Sequence, residues 1–326
     1  MEIIVISIIL GLIFIALIIM LIIGYKANRK LFSQRFVPDK LVKYYTSEEF
    51  GLSKEAIEFK CDKDILRGYI HYYDNIPLIE DRIVIHCHGM WSCLRSYIQD
   101  VEYLCRNGLK VISFDYTGTD SSDGKNLKGF GQSIKCVDAC IKYVKEKFKD
   151  KKIYVVGHSW GGFAAVNSIK YHNDIAGIAA ISPFLSIKKL ISGMNYKLNT
   201  LTGLAMTMVD SFYCGSYSYC NAIKSLKNYN GKVMIIHSKD DNTVSYTANT
   251  KLLEKEYNDF NYLIVDGKYH FPHYSYDAVN AFREYNKKLY SLTEEQQIEY
   301  KKNVDFHKLG ELDSNIMDKI VEMIIE

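Results

Sequence analysis

The sequence predicts an α/β protein: a doubly wound, mostly parallel sheet with one long insertion, preceded by a single transmembrane helix. Three observations predict it. Short apolar runs alternate with amphipathic stretches from residue 56 to residue 290, the order that buries a parallel sheet between two layers of helices. Residues 182–231 interrupt that alternation without a strand pattern. Residues 3–23 carry no charged side chain.

The N-terminal run comes first. At 1.5 Å per residue it reaches about 30 Å, the thickness of a bilayer's hydrocarbon core. A secretory leader has a basic start, a shorter apolar run and a small-residue cleavage site. Here Glu2 precedes the run and Gly24-Tyr25-Lys26 ends it, so residues 1–24 read as an uncleaved membrane anchor. Lys26, Arg29, Lys30 and Arg35 follow it, and no Lys or Arg precedes it. Positive charge stays on the cytoplasmic side, so the reading is a single-pass membrane protein with its large domain in the cytoplasm.

Residues 25–54 read as a basic, Tyr-containing connector, and 55–326 as the α/β domain. Strands are expected at 56–60, 66–73, 82–87, 110–114, 152–156, 175–181, 232–237 and 261–265. Runs such as Ile83-Val84-Ile85 and Val233-Met234-Ile235-Ile236 suit strands covered on both faces. Helices are expected at about 92–106, 129–148, 160–172, 245–257 and 276–290. The insert, about 184–230, holds Met194, Met206, Met208, Phe212, Tyr213, Tyr217 and Tyr219. Long insertions are often functional, and Met-rich surfaces adapt to apolar ligands, so it is expected to form a lid. The tail, 291–326, has a helical pattern (Leu292, Ile298, Val304, Ile316, Ile320, Ile324) and is expected to pack on the domain's side.

Composition removes several classes. The chain is 48% hydrophobic and 24% charged, ordinary for a globular protein. Its 41 basic and 38 acidic residues leave a net charge of +3, with lysines spread along the chain, which argues against nucleic acid. The eight cysteines contain no C-x-x-C pair, so a zinc ribbon or thioredoxin-like site has no support. Cys136 and Cys140, four apart on an expected helix, read as buried small residues. Cys214 and Cys220 could bridge in an oxidising compartment, but scattered free thiols suit a reducing one better.

The chemistry concentrates at Val155-Val156-Gly157-His158-Ser159-Trp160-Gly161-Gly162. An apolar strand runs through Gly-x-Ser-x-Gly into a helix. A turn that tight strains the serine backbone and requires small flanking residues, and it lifts the hydroxyl clear of the sheet. A nucleophilic serine needs a base, and the base needs an orienting group. Downstream, one strand ends at Asp240-Asp241 and another leads into Gly267-Lys268-Tyr269-His270-Phe271. Both lie past strand C-termini, where doubly wound sheets keep their sites.

With these segments the chain resembles the α/β-hydrolase family, most closely its serine-esterase, lysophospholipase and monoacylglycerol-lipase-like branches, over about residues 55–290. The resemblance rests on His88-Gly89, Asp115-Tyr116-Thr117-Gly118, the Ser159 elbow and the Asp and His segments. It implies Ser159 as nucleophile, His270 as base and Asp241 as orienting acid. The family's acid stands in a Gly-x-x-Asp-x-x-Val frame; here Ser238 replaces the Gly while Asp241 and Val244 keep the spacing, with Asp240 as the alternative. Gly267-x-x-His270-Phe271 matches the base, with His273 in reserve. The implied oxyanion donors are the backbone N–H groups of Met90 and Trp160.

His86 and His88 alternate on one strand without a third ligand at fixed spacing, so no metal is expected, and no cofactor. Asp115 is expected to tie down a turn, and His158 to pack or bond locally. The expected substrate is a small-molecule or lipid ester met at a membrane; Lys188, Lys189, Lys197, Lys224 and Lys227 border the insert, where they could meet phosphate head groups or, as is commoner, form a solvated rim. A thioesterase uses the same machinery. An aminopeptidase needs carboxylates for the substrate ammonium, and the insert offers only Asp210. A dehalogenase or epoxide hydrolase would carry Asp where Ser159 stands. A silent, membrane-tethered binding protein is the reading from another class.

Overall fold

The computed structural model describes residues 1–193 and 199–326. Met194 and Lys197 therefore lie outside the described residues. Eight strands form one sheet: β1 (Ser53–Cys61), β2 (Asp64–Tyr72), β3 (Arg82–Cys87), β4 (Val111–Phe114), β5 (Lys152–His158), β6 (Gly177–Ile181), β7 (Lys232–Ser238) and β8 (Asn261–Val265). Their order is β1-β2-β4-β3-β5-β6-β7-β8. β2 is antiparallel to both neighbours, and β4 through β8 are parallel. The mostly parallel sheet and each expected strand are present.

The helices are α1 (Glu2–Phe32), α2 (Ile98–Cys105), α3 (Gln132–Lys147), α4 (Trp160–Ser168), α5 (Ile187–Ser192), α6 (Asn199–Cys214), α7 (Ala222–Ser225), α8 (Thr250–Glu256), α9 (Tyr276–Tyr290), α10 (Glu294–Lys302), α11 (Phe306–Leu309) and α12 (Ser314–Ile325). Alternate residues of the continuous apolar runs serve opposite faces. Ile85, Val155, Ile178 and Ile235 pack with Val137, Phe163 and Ala164. Val84, Val156, Ala179 and Ile236 pack with Val101, Leu104, Ile320 and Ile324. The C-terminal helix α12 thus supplies one cover of the sheet. The order of strands turns back between β3 and β5, whose C-terminal ends open the crevice where such sheets bind ligands.

α1 is long and apolar enough to cross a membrane. It runs past the expected boundary at residue 24, unbroken to Phe32. The cause is packing: Gly24, Asn28 and Phe32, four apart and therefore on one face, are buried. A Cβ on Gly24 would stand 2.7 Å from the backbone carbonyl carbon of Ala205 on α6. Residues 3–19 are exposed. Beyond the helix the chain is fastened, not loose. Phe36 pairs with Thr119, and the Arg35 guanidinium donates to the carbonyls of Asp120, Ser122 and Gly124.

All eight cysteines are buried and free, so Cys214 and Cys220 are not bridged. Because α1 and α6 meet at near-backbone distance, Gly24→Val is expected to destabilise the fold by about 1–3 kcal/mol through overpacking. Thermal unfolding in detergent measures this. Gly11→Val, where nothing lies within 4 Å, is expected to leave the midpoint unchanged.

Candidate active site

Ser159 joins β5 to α4 with φ 57° and ψ −111°, a region side-chain-bearing residues avoid. The backbone around it shows why glycines flank it. A Cβ on Gly157 would lie 2.5 Å from the Gly161 carbonyl, one on Gly161 would collide with the Cys87 carbonyl of β3, and one on Gly162 would sit 3.0 Å from the Ile181 carbonyl. The Ser159 N–H donates to the Ile181 carbonyl at 2.8 Å, so the strained residue is held from the sheet side. The start of α4 directs its free N–H groups toward the serine.

The loops after β7 and β8 bring the expected partners to it. His270 Nε2 lies 2.9 Å from Ser159 Oγ, and His270 Nδ1 lies 2.7 Å from Asp241 Oδ2. The other Asp241 oxygen accepts the N–H groups of Thr243 and Val244, both at 2.8 Å. Asp240 does not reach the histidine; its carboxylate accepts the Ser238 hydroxyl at 2.5 Å and the Tyr269 N–H at 3.3 Å. Ser238, standing in the family's Gly position, thus stitches the two loops together. His273 is fully buried, 3.4 Å from Asp100, away from Ser159. Sequence reasoning missed His237, the penultimate residue of β7. Its Nε2 sits 3.2 Å from Asp241 Oδ2 and donates to the Val244 carbonyl, while Nδ1 accepts from Thr250. Burial pushes the Asp241 carboxyl upward, but bonds from His237 and His270 outweigh it and hold the group well below the usual carboxylate range.

Met90 and Ser159 line one cavity, and among the described residues neither the Met90 nor the Trp160 backbone N–H is committed to a hydrogen bond. Trp160 is buried, its indole donating to the Phe130 carbonyl at 2.7 Å. A second feature joins the Gly89-Met90 loop to the histidine loop. The Gly89 N–H donates to Tyr97 Oη at 3.2 Å, that hydroxyl donates to His158 Nδ1 at 2.8 Å, and His158 Nε2 donates to the His270 carbonyl at 2.7 Å. His158 was expected to bond locally; it bonds across the site. Burial, with His270 beside it, brings its pKa down to about 3, so the ring stays neutral, as this pattern of one donor and one acceptor nitrogen requires. Asp115 ties down its turn as expected, accepting from Leu94 and Ser121.

Residues 80–217 match a family model described as serine aminopeptidase, S33. The human protein ABHD12B is 25% identical over 183 residues, covering 53% of this chain and 49% of that one. The zebrafish (Danio rerio) lysophosphatidylserine lipase ABHD12 is 24% identical over 182 residues, covering 53% and 46%. The chain spans about half the length of the curated relatives it matches. Among solved structures, the Pyrococcus furiosus esterase Pf2001 superposes with a TM-score of 0.55 at 21% identity over 79% of this chain and 95% of that one. Est1E from Butyrivibrio proteoclasticus, bound to ferulic acid, gives 0.56 at 20% identity over 72% and 100%. This chain has the α/β-hydrolase fold and is similar to esterases and lipases that share it.

Ser159 opens into a cavity of about 370 Å³. Besides the loops of Met90, Ser159 and His270, its walls come from segments the sequence did not single out: Val42–Tyr45 before the sheet, Phe282 and Tyr285 on α9, and Phe306, Leu309 and Gly310 around α11. No described residue of the insert lines it, including Lys188, Lys189, Lys224 and Lys227. The reason is that α6 is already engaged. It packs along α1, and its Asp210 carboxylate accepts the N–H groups of Phe130 and Gly131 and the Ser218 hydroxyl. The tail also pins the histidine loop. Lys268, buried, pairs with Asp313 and donates to the Pro272 carbonyl, and the Asp313 N–H donates to the His273 carbonyl.

Two outcomes follow from this geometry. Tyr97→Phe leaves the Gly89 N–H and His158 Nδ1 unpaired in a buried site; steady-state kinetics are expected to show kcat lower by about tenfold. Asp241 has a folded-state pKa below its unfolded value of about 3.9, so its contribution to stability is present above that value and is lost as pH falls through the folded one. Denaturant unfolding is expected to show wild type more stable than Asp241→Asn near neutrality, with the gap narrowing below about pH 4.

Proposed function

We propose that this hydrolase is a membrane-anchored carboxylic ester hydrolase that cleaves a lipid-like acyl ester through an acyl-serine intermediate. The observation that carries the reading is the bonded series Ser159–His270–Asp241, at 2.9 and 2.7 Å, opening into a cavity whose described lining holds no carboxylate. Ser159 Oγ attacks the ester carbonyl while His270 Nε2 takes its proton. Asp241, ionised, fixes the imidazole and balances the imidazolium charge. The Met90 and Trp160 N–H groups receive the oxyanion. His270 then protonates the departing alcohol oxygen. Water, deprotonated by the same nitrogen, attacks the acyl-serine, and the acid leaves as the serine regains its proton.

The cavity supports an ester with an apolar acyl part. Met90, Trp91, Phe271, Phe282, Phe306 and Leu309 are among its walls. Its charged side chains are Lys43 and Arg95, paired with Glu49 and Asp120, so no lining group is set to hold a substrate ammonium. Asp210, the insert's one carboxylate, is buried and already bonded, which also weakens a peptidase reading. The similarity to proteins named lysophosphatidylserine lipase agrees with a lipid ester. α1 serves as the anchor, and Lys26, Arg29, Lys30 and Arg35 just beyond it favour a cytoplasmic catalytic domain.

The test is labelling of the detergent-solubilised protein with a fluorophosphonate probe. Labelling is expected in wild type, absent in Ser159→Ala, and reduced at least a hundredfold in His270→Ala and Asp241→Asn. A p-nitrophenyl ester series is expected to favour medium or long chains, and the matching thioester series separates an esterase from a thioesterase. An unlabelled, folded wild type would overturn the reading in favour of a silent binding protein.

A further inference from the structure

The last turn of α1 touches the surroundings of both oxyanion donors. On one side, Trp91 follows Met90 with φ 51°, a left-handed backbone that residues with a Cβ avoid. Something must hold it there. The Trp91 indole N–H donates to the Leu31 carbonyl at 3.2 Å, one of the final-turn carbonyls that a helix leaves without an internal partner. On the other side, Phe32, buried, meets Phe130 edge-on at 4.8 Å and Trp160 at 6.1 Å between ring centroids. Phe130 in turn accepts the Trp160 indole N–H through its carbonyl.

We infer that the final turn of the membrane helix is a positioning element of the oxyanion hole: Trp91 and Phe32 fix the Met90 and Trp160 backbones, so the seating of the anchor sets the rate of acyl transfer. Neither side chain needs to touch substrate for this. Trp91 acts on the peptide that carries the preceding donor, and Phe32 acts on the ring of the residue that carries the other. Three further attachments oppose any swing of the helix end: the close approach at Gly24, the Arg35 carbonyl cluster and the Phe36 bridge to Thr119. Displacing α1 therefore displaces the donors with it. Donors are effective only where the developing oxygen charge arrives, and misplacement by about 1 Å costs up to about a hundredfold.

The inference rests on the acyl-serine reading. Its test uses the full chain in detergent with a short, soluble ester, p-nitrophenyl butyrate, so that membrane access plays no part. Trp91→Phe keeps a ring at an exposed position and removes only the donor; Phe32→Leu keeps an apolar side chain. Both are expected to lower kcat by about tenfold and leave KM within about twofold; Trp91→Phe is expected to leave the unfolding midpoint nearly unchanged, while Phe32→Leu, which shrinks a buried ring, lowers it without abolishing the fold. A trifluoromethyl ketone, whose adduct carries the oxyanion, is expected to lose affinity in step with kcat/KM. A non-cleavable ether analogue is expected to bind both variants as it binds wild type. Unchanged kcat in Trp91→Phe, or equal losses for the ketone and the ether, would overturn the inference. Failure of the acyl-serine reading looks different, because wild type itself would then take no fluorophosphonate label.

Discussion

The structure around the site depends on one steric constraint, the crowding of three backbones at the Ser159 turn. β5 must hand the chain to α4 within a single residue while the Cys87 carbonyl of β3 and the Ile181 carbonyl of β6 press from either side. Only residues without a Cβ fit at 157 and 161, a Cβ at 162 would be tight, and Ser159 itself is forced to a positive φ. Such strain persists where the surroundings over-determine it. Here the surroundings are the central strands of an eight-stranded sheet, bonded in parallel register on both sides. The stiffness of the sheet thus holds the Ser159 hydroxyl at the cavity wall.

From that point the site spreads through bonds between loops. Asp241 reads His270 on one side and His237 on the other, with two backbone donors on its remaining oxygen. Each tightens the orientation of a carboxylate that is otherwise costly to bury. The Tyr97–His158 connection performs a comparable service for two loops with no covalent reason to keep a fixed separation. The result is a site whose parts come from the ends of β3, β5, β7 and β8 and whose mutual distances are set by buried polar contacts.

The strands and the elbow were legible because each is written locally: continuous apolar runs for strands, and spaced glycines for a turn with steric demands. Asp241 and His270 were legible as neighbours of Ser159 because they follow strand ends at the spacing the resemblance implies. Asp240 against Asp241 was not settled by spacing, since the answer turns on Ser238 capturing Asp240. The cavity walls were not legible. Val42–Tyr45 and Phe306–Gly310 lie near opposite ends of the chain and meet only through tertiary packing. The insert looked like a lid because it is rich in Met and Tyr, yet that apolar surface is partly spent on α1. Tyr97 and His237 gave no signal, since one tyrosine among 26 and one histidine among nine stand out only once their partners are known.

The tail has a consequence for how the protein comes into being. Residues 311–313 clasp the loop that carries His270, and Phe306 to Gly310 close the cavity wall. During synthesis Ser159, Asp241 and His270 all leave the ribosome before any of these residues. A nascent chain that has reached the histidine therefore holds Ser159, Asp241 and His270 without the clasp on the histidine loop or this part of the cavity wall. The three side chains gain that support for their spacing only once α11 and the turn into α12 have been made.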